Sequence, residues 1–286
     1  MLENTKLTGF ADEIDTDIHK QIKLLNELSM KYIELRSVGG KNVADFTWEE
    51  AENIKEILEK HDIKVSAIGS PIGKIQITDE YESHFTTFKK VVELAKWFDA
   101  PYIRIFSFFI PDGENADQYQ EEVFRRLERM IAYAKEQNVI LLHENEKDIY
   151  GDSAERCLAL FANLYGSHFK GTFDFANFVQ CGQDTLEAYK MLEPYIEYIH
   201  IKDAILESGE VVLPGEGDGN LKEILGMVEE KGYSGFLSLE PHLVEFASLK
   251  TLEKDVKQRR FTDGEAAYRL AYQSLMKILV YNKNIK

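Results

Sequence analysis

Four segments of the sequence place an acidic residue or a histidine at the end of an apolar run. They are "LLHENE" with Glu144, "TFDFAN" with Asp174, "YIHIKDA" with His200 and "LSLEPHL" with Glu240. Three carboxylates and one imidazole form a donor set that suits Mn²⁺ and, less specifically, Mg²⁺, Co²⁺ or Zn²⁺. A divalent ion held in this way keeps two positions of an octahedron open for the oxygens of a substrate.

Taken alone, each of these residues has a common structural explanation. A carboxylate at a strand end often caps a helix or pairs with a basic side chain, and a histidine there is often a packed core residue. Three carboxylates buried together would each cost several kcal/mol without a compensating positive charge. Their coincidence with a histidine on consecutive strands therefore favours one shared divalent cation.

The spacing of apolar residues predicts strands that alternate with helices. The strands are predicted at Leu7–Phe10, Tyr32–Leu35, Lys64–Ile68, Tyr102–Phe106, Val139–His143, Gly171–Asp174, Tyr198–Ile201 and Phe236–Glu240. The helices are predicted at Asp17–Met30, Thr47–Lys60, Glu80–Phe98, Gln118–Gln137, Ala154–Leu164, Asp184–Leu192 and Leu221–Glu229, with a last helix from about Asp263. A small polar loop is expected directly after Asp174.

Strands that are apolar on both faces and separated by helices are typical of a parallel sheet under helical cover. Eight such units match the closed (β/α)8 TIM barrel, and we predict one α/β domain of this kind over residues 1–286. No Gly-x-Gly-x-x-Gly motif follows the first strand, which argues against an open doubly wound sheet. In a TIM barrel reactive groups lie at the carboxyl ends of the strands, so the four predicted ligands would share one rim.

With these residues at its strand ends, the sequence resembles the xylose isomerase-like barrels of sugar isomerases and epimerases. That family includes ketose 3-epimerases, inosose dehydratases and hydroxypyruvate isomerases. The resemblance covers essentially the whole chain and includes the loop "PGEGDG", residues 214–219. It implies that Glu144, Asp174, His200 and Glu240 bind the metal ion, and that Glu144 and Glu240 are also the catalytic acid and base groups.

The sequence departs from the epimerase pattern at two places. The epimerases carry a histidine three residues after the metal-binding aspartate, where this chain has Asn177. They also carry an arginine several residues after the metal-binding histidine, where this chain has Ala204, Ile205 and Leu206. Both residues help to hold the sugar in the epimerases, so these differences argue against a ketohexose substrate.

The resemblance and the predicted metal site together predict a divalent-metal-dependent isomerase or epimerase that acts on a small sugar or polyol. A metal ion bound to the vicinal oxygens of a hydroxy-ketone stabilises the enediolate that forms when the neighbouring proton is removed. Return of the proton gives epimerisation or isomerisation, whereas loss of a β-hydroxyl group gives dehydration. A dehydratase of an inosose-like keto-polyol is therefore the alternative, and the sequence does not choose between them.

Further polar residues near the strand ends are candidates for contacting the substrate. Arg36 ends the second strand, but it can equally pair with Glu34 or Glu13. Lys202 can likewise pair with its neighbour Asp203. We assign substrate contacts to Arg36, Lys202, His242, Asn177 and Glu13.

The glycine-rich loop "PGEGDGN" has the composition of a loop that binds phosphate through its backbone amides. Its acidic residues, Glu216 and Asp218, would repel a phosphate, and it contains no Lys or Arg. We expect Asp218 or Asn220 to cap the helix that begins near Leu221. The expected substrate is therefore a non-phosphorylated polyol.

The composition narrows the classes of partner. A net charge of −16, with Lys and Arg scattered along the chain, disfavours nucleic acid. A DNA-repair endonuclease on a related barrel would need a three-zinc cluster with more histidines than stand at the strand ends here. A non-catalytic sugar-binding barrel is the other rival, but it would have no need of buried carboxylates.

The sequence also bears on location and assembly. No apolar stretch is long enough to span a membrane, and the two cysteines lack a Cys-x-x-Cys spacing and are expected as free thiols. We therefore expect a cytoplasmic protein without a membrane partner, and the sequence leaves open whether it is a monomer or a homodimer. The long connection 242–262 is expected to be a lid, an interface element or a short solvated helix.

Overall fold

The barrel predicted from the sequence is present in the structure. The computed structural model describes residues 5–245 and 261–284. Eight parallel strands form one sheet: β1 (Lys6–Gly9), β2 (Tyr32–Leu35), β3 (Lys64–Gly69), β4 (Tyr102–Ile105), β5 (Ile140–Glu144), β6 (Phe169–Asp174), β7 (Ile196–Ile201) and β8 (Phe236–Leu239). Neighbours pair in order from β2 to β8, β8 pairs with β1, and β1 lies beside β2. The sheet is thus a nearly closed TIM barrel, which confirms the predicted fold.

Helices surround this sheet. They are α1 (Ile18–Glu27), α2 (Trp48–Lys60), α3 (Tyr81–Trp97), α4 (Gln120–Gln137), α5 (Ala154–Leu164), α6 (Phe175–Gln180), α7 (Thr185–Leu192), α8 (Leu221–Glu230) and α9 (Gly264–Asn284). The start of α2 shows how sequence fixes a boundary, because Thr47 and Glu50 form a reciprocal capping box. Among the described residues, no helix is long and apolar enough to cross a bilayer. Most of the connection 242–262 lies outside the described residues.

An aromatic layer fills the barrel near the amino ends of its strands. The rings of Tyr32 and Phe236 lie 5.0 Å apart, those of Tyr198 and Phe236 5.5 Å, and those of Tyr102 and Tyr198 6.0 Å. These edge-to-face and tilted contacts pack the interior densely below the opposite rim. The aromatic layer therefore separates the amino ends of the strands from the polar side chains at their carboxyl ends.

Strand register brings the predicted ligands to that rim. Glu144 pairs with Thr172, Asp174 with His200, and His200 with Ser238, two residues before Glu240. Since alternate residues of a strand face the same side, the side chains at these register positions point into the barrel together. The fold thus explains why residues from distant parts of the sequence meet.

The structure corrects the prediction directly after β6. The segment that follows Asp174 is the helix α6 and not a polar loop. Asp174 is its N-cap residue, and its Oδ1 atom accepts a hydrogen bond of 2.7 Å from the Asn177 N–H group. The short helix is buried on nearly every side, so it lacks the amphipathic pattern by which a surface helix is predicted.

Candidate metal centre

The four predicted ligands meet at the carboxyl rim of the barrel. Glu144 ends β5, Asp174 ends β6, His200 lies near the end of β7, and Glu240 directly follows β8. All four side chains are buried, and one potential ligand atom from each lies within 4.8 Å of the others. The barrel therefore assembles the residues that the sequence pattern singles out.

The imidazole of His200 lies at the centre of this cluster. Its Nδ1 atom is 3.1 Å from Glu144 Oε1, 3.2 Å from Glu240 Oε2 and 3.9 Å from Asp174 Oδ2. Adjacent donors bound at about 2.0–2.2 Å to one ion lie roughly 2.8–3.6 Å apart, depending on the coordination geometry. The cluster is thus close to the size of a divalent-ion site.

Two oxygens of this cluster support a bound cation. Asp174 Oδ2 and Glu240 Oε2 are buried and, within the described ranges, accept no hydrogen bond. Lys202 Nζ and His200 Nδ1 lie 3.0 and 3.2 Å from them as ion-pair partners. A buried carboxylate oxygen without a hydrogen bond is costly, and a shared cation would compensate it. The residues present therefore fit a divalent metal ion.

Asp174 combines the two roles that the sequence presented as alternatives. Its Oδ1 atom caps α6, and its Oδ2 atom faces the other three predicted ligands. The cap fixes the carboxylate in one orientation, because Oδ1 is held by a short backbone hydrogen bond. A structural role and a ligand role are therefore compatible at this residue.

Glu34 holds the other side of the imidazole. Its Oε2 atom lies 3.2 Å from His200 Nε2 and accepts a hydrogen bond of 2.6 Å from Ser238 Oγ. A carboxylate at Nε2 directs the opposite nitrogen, Nδ1, toward the other carboxylates. Glu34 was not among the residues predicted for the site, although an acidic residue within the apolar run "YIEL" was a usable signal.

Arg104 is a second residue that the sequence analysis missed. Its Nη1 atom donates to Glu144 Oε2 at 2.8 Å, and its guanidinium lies 4.4 Å from the centre of the Phe106 ring and 5.5 Å from that of Phe10. Burial would raise the pKa of Glu144, but the positive charges of His200 and Arg104 lower it to about 2. The basic residue within the buried strand "YIRI" was the available signal.

Two asparagines tie the ends of β5 and β6 together. Asn145 accepts a hydrogen bond from the Asp174 N–H group and donates one to the Asp174 carbonyl, each at 2.9 Å. Asn177 Nδ2 donates to Glu144 Oε1 at 3.2 Å and to the Asn145 carbonyl at 2.9 Å. Asn177 therefore lies at the site and positions one of the predicted ligands.

Lys202 lies beside the four predicted ligands and does not pair with Asp203, the partner considered from the sequence. Its Nζ atom lies 3.0 Å from Asp174 Oδ2 and 3.6 Å from Glu240 Oε2. Burial raises the pKa of Asp174 to about 7, although Lys202 opposes this increase. Burial would likewise raise the pKa of Glu240, but Lys202 and His242 hold it well below its usual range. Lys202 thus keeps positive charge between two predicted ligands.

The carboxylates around His200 favour its protonated form. Burial would lower its pKa, but the negative charges of Glu144 and Glu34 hold it well above the usual value for histidine. Metal binding to an imidazole requires loss of the proton from the ligating nitrogen. A divalent ion at this cluster would therefore replace the proton on His200 and supply the positive charge in its place.

The remaining predicted residues form a second group beside the first. Arg36 donates to Glu13 Oε1 and to Glu240 Oε1, each at 3.0 Å, and Glu13 Oε2 accepts a hydrogen bond from the His242 N–H group. Arg36 thus pairs with Glu13, one of the two partners considered from the sequence, and its guanidinium also lies 2.9 Å from Asp12. All of these side chains are buried.

The glycine-rich loop binds an anion, but that anion is the carboxylate of Asp203. Its two oxygens accept hydrogen bonds of 2.8, 3.0 and 3.0 Å from the N–H groups of Gly215, Gly217 and Gly219. A Cβ atom at Gly217 would lie 2.4 Å from Asp203 Oδ1, which explains the glycine. Such concave groups of N–H donors are anion sites.

The predicted cap of α8 is wrong. Asn220 occupies the N-cap position with a left-handed backbone, φ 55°, and its side chain makes no capping hydrogen bond. The side chain of Asp218 instead accepts a hydrogen bond of 2.7 Å from the Leu206 N–H group. The loop is therefore shaped by the buried Asp203 carboxylate, which the sequence analysis did not weigh.

The sequence matches a known family over most of its length. The family model described as "Xylose isomerase-like TIM barrel" covers residues 22–262. The chain belongs to this family. Membership agrees with the resemblance inferred from the strand-end residues, and it confirms the family assignment.

Two curated proteins are similar in sequence to this xylose isomerase-like barrel. A 3-dehydroshikimate dehydratase from Bacillus anthracis is 21% identical over 188 residues, which is 66% of this chain and 66% of that protein. An inosose dehydratase from Clostridium perfringens is 24% identical over 152 residues, 47% of this chain and 51% of that protein. The chain thus spans about half to two thirds of the length of these relatives, and both are named as enzymes.

The fold is also found among solved structures. The crystal structure of the IOLI protein with a bound zinc atom has a TM-score of 0.75 to this chain, at 16% identity. The match covers 97% of this chain and 99% of that chain. At this identity the likeness shows a shared TIM barrel.

Proposed function

We propose that this protein is a divalent-metal-dependent enzyme that removes a proton next to the carbonyl group of a small sugar- or polyol-like keto compound. The observation that carries the proposal is the buried cluster of Glu144, Asp174, His200 and Glu240. Two of its oxygens accept no hydrogen bond from the described part of the chain, and a bound cation would compensate their burial. The enzymatic names of the two curated relatives support a catalytic role.

The four residues would hold one metal ion, for which we propose Mn²⁺ because of the three oxygen donors and one nitrogen donor. When bound, such an ion stabilises negative charge on a carbonyl oxygen and makes the neighbouring C–H group more acidic. Lys202 and Arg104 lie beside the ligands and add fixed positive charge. Buried positive charge favours a transition state in which the substrate becomes an enediolate.

Glu144 and Glu240 are the proposed proton carriers. The pKa of each lies below its usual range, so both carboxylates are ionised at neutral pH. A carboxylate with a low pKa is a weak base, and it can accept only a proton that the substrate already releases readily. One ionised carboxylate can remove the proton and, once protonated, can return it. Return by the other glutamate requires that glutamate to take up a proton first.

Among the proposed substrate contacts, Lys202 and His242 have the strongest geometric support, because they adjoin Glu240 at the rim. Arg36, Asn177 and Glu13 are hydrogen-bonded to one another or to predicted ligands. We therefore assign these three residues mainly to holding the site in shape. Their effect on substrate binding would be indirect.

Two outcomes are available after the proton is removed. Epimerisation with proton return on the opposite face uses a second carrier, and the pair Glu144 and Glu240 supports it, whereas isomerisation can use one carrier for both transfers. Dehydration requires loss of a β-hydroxyl group, and the two dehydratases among the relatives support it. The presence of Asn177 in place of the epimerase histidine argues against a ketohexose substrate for either outcome.

Deuterium exchange tests the shared first step. The Mn²⁺-loaded protein is incubated in D₂O with ketoses, inososes and 3-dehydroshikimate, and the C–H groups next to the carbonyl are followed by NMR. We expect exchange in at least one compound, together with either a rearranged sugar or a dehydrated product. The product separates an isomerase from a dehydratase.

Glutamine variants test the two proton carriers. We expect Glu144→Gln and Glu240→Gln each to reduce exchange by at least 10²-fold, because each loses an acid-base group. Circular dichroism and thermal unfolding should show that both variants remain folded. Exchange at the wild-type rate in either variant would remove that residue from the mechanism.

A further inference from the structure

A second group of potential metal ligands adjoins the first. Glu13, Glu240 and His242 each offer a ligand atom within 4.8 Å of the other two, and all three side chains are buried. His242 Nε2 lies 3.2 Å from Glu240 Oε1 and 3.5 Å from Glu13 Oε1. A tetrahedral ion with bonds of about 2.0–2.2 Å separates its donors by roughly 3.3–3.6 Å. This second cluster thus has the dimensions of a zinc-like site.

Glu240 belongs to both clusters through different oxygens. Its Oε2 atom faces His200 Nδ1 at 3.2 Å, whereas its Oε1 atom faces His242 Nε2 at 3.2 Å. A carboxylate with its two oxygens turned to separate cation positions has the arrangement of a bridging ligand. Two-metal sites place their ions about 3.5–4 Å apart, a distance that one carboxylate can span.

The guanidinium of Arg36 lies within this second cluster. It donates to Glu240 Oε1 and to Glu13 Oε1, each at 3.0 Å, and its Nη1 atom lies 3.5 Å from His242 Nε2. It also forms a paired contact with Asp12, at 2.9 and 3.0 Å. A guanidinium is always charged and delivers several directed donors, so it can satisfy a set of ligand atoms much as a metal ion does.

We propose that Glu13, Glu240 and His242 form a second divalent-metal pocket that the guanidinium of Arg36 fills, so that the protein binds one ion and not a bridged pair. The inference rests on the proposed ion at Glu144, Asp174, His200 and Glu240. Arg36 is then a positioning residue, because it orients Glu240 and limits the number of metal ions. Loss of Arg36 with retention of the acids opens the pocket to a second ion.

The charge balance supports this substitution of one cation for another. Without Arg36, the buried carboxylates of Asp12, Glu13 and Glu240 lack their common partner, a situation that strongly destabilises a folded protein. A divalent ion at the pocket would restore the missing positive charge. The variant without Arg36 should therefore depend on metal for its stability more than the wild type does.

Metal counting tests the proposal without any substrate. Arg36→Ser, which removes charge and volume, and the wild type are saturated with Zn²⁺, desalted and analysed for zinc per chain. We expect one ion in the wild type and two in Arg36→Ser. The Co²⁺ forms provide a second readout, since a second Co²⁺ with imidazole ligation adds to the visible absorption.

Two further variants distinguish the effect of the volume of the Arg36 side chain from that of its charge, and they identify the ligands of the second ion. Arg36→Met fills the pocket without a charge and should bind one ion. Arg36→Ser combined with His242→Asn lacks the nitrogen donor and should return to one ion. A count of two in the wild type, or of one in Arg36→Ser, would overturn the inference, whereas a count of zero in the wild type would instead overturn the proposed primary site.

A folding test covers the case in which Arg36→Ser unfolds without metal. The variant is refolded with and without Zn²⁺ and followed by circular dichroism. We expect zinc to restore the wild-type spectrum and the combined variant to remain unfolded. An Arg36→Ser chain that stays unfolded in saturating zinc would contradict a pocket able to accept the ion.

Discussion

Glu34 controls the orientation of His200 from within the barrel. Its carboxylate lies 3.2 Å from Nε2, on the side of the ring opposite the proposed ligands, and is itself held by Ser238. Partners of this kind fix the ring nitrogen that faces a metal ion and increase its basicity. Glu34 is fully enclosed, so its role is confined to the residues it contacts.

We expect Glu34→Ala to weaken metal binding by about 10–100-fold, because the imidazole loses its partner at Nε2. Glu34→Gln is the matched control, since its amide oxygen can still accept the Nε2–H hydrogen bond, and its loss should be smaller. Competition with a chelator measures the affinity of each variant for Mn²⁺. Equal affinity in the wild type and Glu34→Ala would show that Glu34 does not orient the ligand.

Single residues show which parts of the site could be predicted from the sequence. Glu144, Asp174, His200 and Glu240 were predictable, because strand ends in a barrel converge on one rim. The partners of Arg104 and Glu34 were not predictable. A charged residue within an apolar strand indicates a buried side chain, but the sequence does not show which residue it contacts. Glu34 and His200 are far apart in sequence, and only the closed sheet brings them together.

At the scale of elements, two segments after β7 are organised around Asp203. They are the antiparallel pair of short strands, Asp203–Ala204 and Val211–Val212, and the glycine-rich loop 214–219. Its buried carboxylate accepts hydrogen bonds from three glycine N–H groups and from the Ala204 N–H group at 2.9 Å. Burial raises the pKa of Asp203, although these N–H groups oppose the increase. Because Lys202 is the adjacent residue, the same contacts hold the backbone that carries a proposed substrate contact.

We expect Asp203→Ala to reduce the free energy of unfolding by about 3 kcal/mol, because several buried N–H donors lose their acceptor. Asp203→Asn, which keeps one side-chain oxygen, should cost less. Glu207→Ala, at an exposed position of the same connection, is the control and should have little effect. Denaturant unfolding gives the three values, and a loss below about 0.5 kcal/mol in Asp203→Ala would show that water replaces the carboxylate.

Element boundaries were predictable where one physical pattern dominated. Strand β2 and helix α5 match their predicted limits, because an apolar run and an amphipathic repeat end there. Helix α6 was missed since it is short and buried, and its only clear signal was the cap provided by Asp174. The shape of the 214–219 loop was not predicted, because the anion that its N–H groups bind is the carboxylate of Asp203 in the same chain.

At the scale of the whole molecule, acidic residues outnumber basic residues. The chain carries 50 acidic and 34 basic residues, so metal cations are attracted to it and polyanions are repelled. Within the barrel, the aromatic layer lies on the amino-end side, and the acidic residues of the site lie on the carboxyl-end side. The site thus combines dense packing with negative charge that a cation would neutralise.

The proposed ion should couple the strands to one another, because its ligands come from β5, β6, β7 and the end of β8. Ligand binding to the folded state stabilises it by about 2.7 kcal/mol at a free concentration 100 times the dissociation constant. For a chain of this size such a gain corresponds to a rise of roughly 5 °C in melting temperature. Asp174→Asn should lose this rise while its metal-free form stays folded.

The most direct measurement is a titration of chelator-treated protein with Mn²⁺, followed by calorimetry and by thermal unfolding. The account predicts saturation at one ion per chain and a higher melting temperature in the wild type. It also predicts that neither is observed in Asp174→Asn or His200→Asn. Equal melting temperatures for the stripped and Mn²⁺-saturated wild type, with no heat of binding for Mn²⁺ or Zn²⁺, would contradict the proposed site.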